Sequence, residues 1–319
     1  MKRGQIIGRR HSSTALHLYV LNMTTYDFIS ANKRKSVLLI IIFTVLVLML
    51  GGLIDYVYEG GGFFLFIAGA YSIIIGLMGF YSGDKIALAV SGAREIKETD
   101  NQYLYRMVQN LCLTVGLPMP KVHIINDPAI NAFATGRDPN HSSIAVTTGA
   151  LQRLENEELE GVLAHELSHI KNYDIRVMTL VMVLAGTVAI IADLTLRSFL
   201  WGGRGRRREG DNGALLIIGL VLMIIAPIVA QLIKLAVSRR REYLADASAA
   251  LITRFPEGLA RALEKIGQQA QPMARASGAT AHLFIANPFS GKALATLFST
   301  HPPIEKRLAA LRHMTGANG

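Results

Sequence analysis

Four long apolar stretches divide the chain: Val37 to Ile54, Gly62 to Tyr81, Val177 to Leu196 and Ala214 to Val237. Each comes close to the ~20 residues that an α-helix needs to cross a bilayer. They pair into two hairpins, one ahead of a region with soluble-protein patterning and one inside it. In that region Asp100 to Leu113 repeats apolar residues at helical spacing, and Gly116-Leu117-Pro118 ends the helix. Lys121 to Asn126, Asn131 to Gly136 and Ser143 to Thr148 read as strands, the last two joined by the turn-forming Arg137-Asp138-Pro139-Asn140. Leu159, Val162, Leu163, Leu167 and Ile170 then form a helical stripe. Asn156 is its expected N-cap, and Glu157 and Glu158 fall in its first turn, where the helix dipole favours negative charge. Pro256 to Gln268 and the set Ile304, Leu308, Leu311 predict two more helices, with a loop from Gln269 to Thr280 and a turn region from Phe284 to Gly291. The pattern predicts a multi-pass α-helical membrane protein, mostly α with a small β-sheet. It divides into a basic extension over 1–35, a transmembrane hairpin over 36–81, a soluble domain assembled from 82–175 and 238–319, and a second, transmembrane or re-entrant hairpin over 176–237.

Composition and charge sharpen this. Of 319 residues 51% are hydrophobic, and the formal net charge is +10. A basic chain can bind nucleic acid, but no such signature accompanies the charge, and the basic residues lie beside the apolar runs. Lys33, Arg34 and Lys35 precede the first run, and the turn after it holds Asp55 and Glu59 with no Lys or Arg. The positive-inside tendency therefore puts the N-terminus in the cytoplasm and that turn outside. The turn between the third and fourth runs is discordant, with Arg197, Arg204, Arg206, Arg207 and Arg208, and Asp193 interrupts the third run. Apolar run and flanks do not match a cleavable signal peptide; Met23 is a second candidate start, and Asn22-Met23-Thr24 is a chance match to a glycosylation triplet. Cys112 is the lone cysteine, so no intrachain disulfide forms.

The chemistry centres on His165-Glu166-Leu167-Ser168-His169. Residues i and i+4 of a helix share a face, so His165 and His169 can present two imidazole nitrogens to one metal ion. That set suits catalytic Zn²⁺, which takes three protein ligands and a water. Glu166, beside the first ligand, can reach a water whose pKa the metal lowers to about 7. At ~1.5 Å per residue an uninterrupted helix would put His169 about 12 Å from the third run, close to the membrane surface. A third ligand is needed. Glu242 and Asp246, also i,i+4, can supply it and a carboxylate to orient a ligating imidazole. Both acids also follow Arg239-Arg240-Arg241, and pairing with that cluster is the competing reading. Asn131-Ala132-Phe133-Ala134 can take up an extended substrate as an added strand, or be an ordinary hairpin strand. His123, His141, His282 and His313 have no paired spacing and read as structural.

These motifs resemble the HtpX-type membrane zinc endopeptidases, whose wider family includes the CAAX prenyl protease. The resemblance rests on His165 to His169 with Lys171-Asn172 and Asp174, on Arg241-Glu242-Tyr243 with Ala245-Asp246, on Asn131 to Gly136, on Ser299-Thr300-His301-Pro302-Pro303 and on the two apolar hairpins. It spans about residues 24–315; the N-terminal extension and the Arg-rich turn depart from the pattern. It implies an α+β zincin-like metalloprotease domain, one zinc ion held by His165, His169 and Glu242, and Glu166 as the catalytic carboxylate. It also implies a multi-pass protein of the bacterial inner membrane with a cytoplasm-facing site, acting on damaged or misassembled membrane proteins. By the same resemblance His301 helps to hold the oxyanion, with Arg307, one turn on, as the alternative. The rival functions are a prenyl-peptide protease, a membrane scaffold with structural zinc, and a transporter. The four runs show no prenyl-binding feature, a structural site needs no base such as Glu166, and a transporter needs acids nearer mid-membrane than Asp193.

Overall fold

The computed structural model describes residues 25–202, 239–269, 272–275, 278–289 and 302–314. Two long helices, α1 (Thr25–Val57) and α2 (Phe63–Val90), form the first hairpin. Helix α1 starts eleven residues ahead of Ser36, so the basic cluster belongs to the helix itself, and only residues 1–24 of the expected extension lie outside the described residues. Asp55 closes the turn, accepting from the amides of Gly62 (2.7 Å) and Phe64 (3.0 Å) and thereby capping α2.

A small sheet follows. β1 (Ala93–Glu95) precedes α3 (Gln102–Val115); β2 (Lys121–Ile125), β3 (Ala132–Asp138) and β4 (His141–Thr147) come next, in the sheet order β1-β2-β4-β3. β2 and β4 run parallel, and the other two pairings are antiparallel. The three expected strands are present, shifted by one or two residues. The short β1 has no alternating pattern to betray it. β3 runs on through Arg137 and Asp138, because a register shift there absorbs residues expected in the turn. Cys112 is core, its thiol pushed up to about 11 by burial.

The short α4 (Thr148–Arg153) leads into α5 (Asn156–Lys171), which carries the His-Glu motif. Its N-cap is Glu155 rather than Asn156: the Glu158 carboxylate reaches back to the Glu155 amide at 2.8 Å and satisfies a donor that the helix leaves free. α6 (Asp174–Gly202) does not continue α5. Asn172 caps α5 and Tyr173 turns left-handed (φ 60°) before Asp174 begins the new helix. The expected unbroken helix from His169 to the third run is thus replaced by a sharp turn, which folds Asp174 back toward His169.

Three helices among the described residues are long and apolar enough to cross a membrane: Asp27–Tyr56, Phe63–Val90 and Asp174–Ile191. Asp193 pairs with Arg197 at 2.7 Å, one turn on in the same helix. The fourth run lies outside the described residues. Small residues let α2 and α6 approach: a Cβ at Gly83 would stand 2.6 Å from Thr179 Cγ2, and Gly79 faces Val183, a small-xxx-small contact suited to lipid, where packing drives association.

α7 (Arg239–Thr253) and α8 (Pro256–Gln268) pack against α5, and α9 (Ile304–Met314) packs on α7 and α8. α5 crosses α8 almost backbone to backbone, and a Cβ on Gly161 would lie 2.7 Å from the Leu259 amide nitrogen. Gly161→Ala is therefore expected to lower the thermal unfolding midpoint in detergent. The clash costs about 1–3 kcal/mol, against the ~1 kcal/mol that alanine gains over glycine in a helix. An unchanged or raised midpoint would contradict this packing.

Candidate metal centre

α5 has no wet face around its motif: every residue from Gly161 to Ile170 is buried. His165 and His169 project from one side, and α7 lays Glu242 and Asp246 against them, brought close by the small Ala245 and Ala249. The histidine Nε2 atoms stand 3.2 Å apart. Glu242 Oε2 lies 3.8 Å from His165 Nε2, and Oε1 lies 3.6 Å from His169 Nε2. Around a tetrahedral zinc at ~2.0–2.1 Å, ligand atoms stand roughly 3.3 Å apart. His165, His169 and Glu242 therefore have the spacing and donor chemistry to hold a metal ion.

The opposite edge of each ring explains the convergence. His165 Nδ1 meets Asp246 Oδ1 at 3.0 Å, and His169 Nδ1 meets Asp174 Oδ2 at 3.0 Å. An Nδ1–H donated to a carboxylate leaves Nε2 with its lone pair free for a metal. Asp246 is held in turn by the fully buried Arg307, whose Nε and Nη2 donate to its two oxygens at 2.8 and 2.6 Å. Nη1 of Arg307 donates to the Ile285 carbonyl at 3.2 Å and lies 4.0 Å from Glu242. With three of its nitrogens so engaged, Arg307 holds Asp246 in place.

The charges of this cluster depend on burial. His165 is pushed down to about 4 by burial, against the pull of Asp246. His169 is also buried, but its hydrogen bond to Asp174 and the charge of Glu242 raise it to about 9. Burial raises Glu166 to about 7, helped by Glu242 and opposed by His169 and by the Ala134 amide, which donates to its carboxylate. Burial would raise Asp246 as well, but Arg307 holds it below the usual carboxylate range.

Among the described residues, Arg241 is the buried member of the arginine cluster, and it pairs with Asp174 at 3.1 Å while Arg239 and Arg240 are exposed. Asn131 to Ala134 lie at the start of β3, the terminal strand of the sheet. Ala132, Ala134 and Gly136 face away from β4. The Ala134 amide goes to Glu166, the Gly136 amide to Thr179 Oγ1 (3.3 Å), and the Ala132 carbonyl accepts from the Ile285 amide (3.0 Å). Asn131 Nδ2 donates to the Ala286 carbonyl at 3.2 Å, and Phe133 packs edge-on against Phe284. The strand is thus an edge by topology whose start is covered by the chain's own residues 284–286. His301 lies outside the described residues. His123, His141 and His282 each have a hydrogen-bond partner: the nearby Lys121 carbonyl and Asp138 for the first two, and the distant Met178 carbonyl for His282.

Two contacts of the site were not legible in the sequence. Asn32 reads as one more polar residue in a basic segment, and Arg241 as one of three similar arginines. Both are buried against Asp174, a contact that no local spacing encodes.

Comparison with known proteins places this geometry in a lineage. Residues 98–315 match Peptidase family M48. The chain is 48% identical over 294 residues to a protein named Protease HtpX homolog from Tropheryma whipplei (strain Twist), covering 91% of this chain and 98% of that one. It is 46% identical over 296 residues to another Protease HtpX homolog, from Caldanaerobacter subterraneus subsp. tengcongensis, covering 92% and 98%. Among solved structures, S. mikatae Ste24p aligns over 90% of this chain and 67% of its own length, with a TM-score of 0.48 and 16% identity. With the family matched across most of the chain and relatives aligned over nearly their whole length, this protein belongs to peptidase family M48, and is a membrane-associated metalloprotease of that family.

Proposed function

We propose that the chain is a zinc-dependent endopeptidase that hydrolyses peptide bonds of damaged or misassembled membrane proteins, with its site on the cytoplasmic face of a bacterial inner membrane. The observation that carries the chemistry is the meeting of His165 Nε2, His169 Nε2 and a Glu242 carboxylate oxygen at one point, with Glu166 adjacent in the same buried helix. Two nitrogens and one carboxylate are the donor set of catalytic zinc, and leave a fourth position open. Orientation is supported by charge: Lys33, Arg34 and Lys35 lie at the same end of α1 as Asn32, which touches the metal centre's surroundings. The positive-inside tendency puts that end in the cytoplasm. The Protease HtpX homolog relatives support proteolysis as the reaction.

When bound, zinc supplies Lewis acidity to a carbonyl and acidifies a water. Glu166 takes the proton of the attacking water and passes it to the leaving amine; a carboxyl lifted toward neutrality by burial suits both transfers. Asp246 and Asp174 keep both imidazoles in the ligating tautomer. His301 is assigned to the developing oxyanion. An extended substrate pairing with β3 would take the place of Ile285 at the Ala132 carbonyl.

Glu166→Gln is expected to retain zinc while casein cleavage falls by about 10²–10⁴-fold, the usual weight of a general acid–base group. Wild-type turnover in that variant would remove Glu166 from the mechanism. Glu242→Ala, by contrast, should lose zinc, as read by metal analysis after gel filtration; full zinc and activity would sink its assignment as a ligand. His301→Ala should keep zinc and lose about 10²–10³-fold in kcat, if it donates to the oxyanion; an unchanged kcat would exclude it. Finally, zinc must displace the proton that His169 holds below about pH 9, whereas His165 has none to give. Titration calorimetry at pH 7 in buffers of different ionisation enthalpy should therefore show about one proton released from the ligands, with affinity rising from pH 7 to 9. Release of none would mean that His169 is already neutral before the metal binds.

A further inference from the structure

The metal centre is tied to the first membrane helix through one side chain. Asn32, on α1, is buried at 2% exposure although it stands within a run of basic residues. Its Nδ2 donates to Asp174 Oδ1 at 2.7 Å and to the Asn172 carbonyl at 2.9 Å. Its Oδ1 accepts from Arg241 Nη1 at 3.2 Å, and the same Nη1 donates to Asp174 Oδ1 at 3.1 Å. Asp174 turns its other oxygen, Oδ2, to His169 Nδ1. Arg241 directly precedes Glu242. Asn32 therefore reaches two of the three ligands by short routes: His169 through Asp174, and Glu242 through the residue before it.

The backbone needs this support. Asp174 can face His169 only because α5 and α6 break at Asn172-Tyr173, and Tyr173 takes a left-handed conformation that costs a non-glycine residue about 1 kcal/mol or more. α1 holds this break at two adjacent positions: Asn32 caps the Asn172 carbonyl, and the Lys33 ammonium sits 4.8 Å from the centre of the Tyr173 ring. An amide is the side chain that fits between a carboxylate and a guanidinium, since it donates to one and accepts from the other. A hydrophobic residue in that place would leave both buried charges short of a partner.

We propose that Asn32 is a positioning residue for the metal centre, fixing Asp174 and Arg241 so that His169 and Glu242 converge, and that docking of the first membrane helix thereby completes the site. This rests on the reading of His165, His169 and Glu242 as metal ligands. It makes metal affinity depend on a membrane helix that contributes no ligand, so a chain whose first helix is undocked has a weaker metal site.

The test uses the full-length chain in detergent, with Zn²⁺ affinity measured by chelator competition and the visible spectrum of the Co²⁺-loaded protein recorded alongside. Asn32→Leu should weaken Zn²⁺ binding by about 10-fold, the lower end of the loss for a direct partner of a metal-ligating histidine, because Asn32 acts on His169 through Asp174, and should alter the Co²⁺ bands. Asn32→Asp is the deciding variant: it keeps the shape and the acceptor for Arg241 but sets a carboxylate against Asp174. A packing role alone would survive it; a positioning role predicts a loss comparable to that of Asn32→Leu. Ser36→Ala, one turn along, whose hydroxyl donates to the Asn32 carbonyl and to no other group among the described residues, should bind as wild type. Wild-type affinity and spectrum in Asn32→Asp would overturn the inference while leaving the three-ligand reading intact. A wild-type chain that binds no Zn²⁺ would overturn that reading, and the inference with it.

Discussion

Each imidazole of the motif gives its Nδ1 edge to a buried carboxylate, His165 to Asp246 and His169 to Asp174, and the rest of the site follows from those two bonds. They decide which nitrogen faces inward, and so let two helix side chains serve as a pair of metal donors. Neither carboxylate could stand alone in so dry a place, because an unpaired buried charge costs several kcal/mol. Arg307 secures Asp246 from α9, while Arg241 and Asn32 secure Asp174 from α7 and α1. The candidate metal centre is thus the meeting point of five helices, α1, α5, α6, α7 and α9, of which α1 belongs to the first hairpin.

This arrangement also assigns the work of the hydrophobic residues. Gly161, Ala245 and Ala249 remove bulk where α5 meets α8 and α7, so that the polar groups can reach one another across the core. Gly79 and Gly83 likewise remove bulk between α2 and α6, opposite Val183 and Thr179. Burial then tunes the acids and bases: Glu166 rises because water is excluded, and Asp246 stays low because a guanidinium is fixed beside it.

What the sequence made legible was what repeats locally. The helical stripe around His165 and His169, the i,i+4 pair of Glu242 and Asp246, and the β3–β4 hairpin all carry their period in the residues themselves. Other features depend on contacts distant along the chain. Arg307 lies 61 residues from Asp246 and Asn32 lies 142 from Asp174, so neither pairing leaves a local trace. The N-cap shifted from Asn156 to Glu155 because Glu158 reaches back to a preceding amide, a reciprocal bond that a list of capping preferences does not rank. The break at Tyr173 was hidden for a similar reason: no glycine or proline marks it, and α1 holds it from outside.

In the proposed site two imidazole nitrogens and one carboxylate oxygen, from α5 and α7, surround a single metal ion. X-ray absorption at the zinc edge, on the full-length zinc-loaded chain and on its His165→Ala variant, tests this most directly. The account predicts a first shell of nitrogen and oxygen with the outer-shell scattering of two imidazoles in the wild type, and zinc lost or bound with one imidazole in the variant. A wild-type spectrum without imidazole scattering, or one that His165→Ala leaves unchanged, would contradict it.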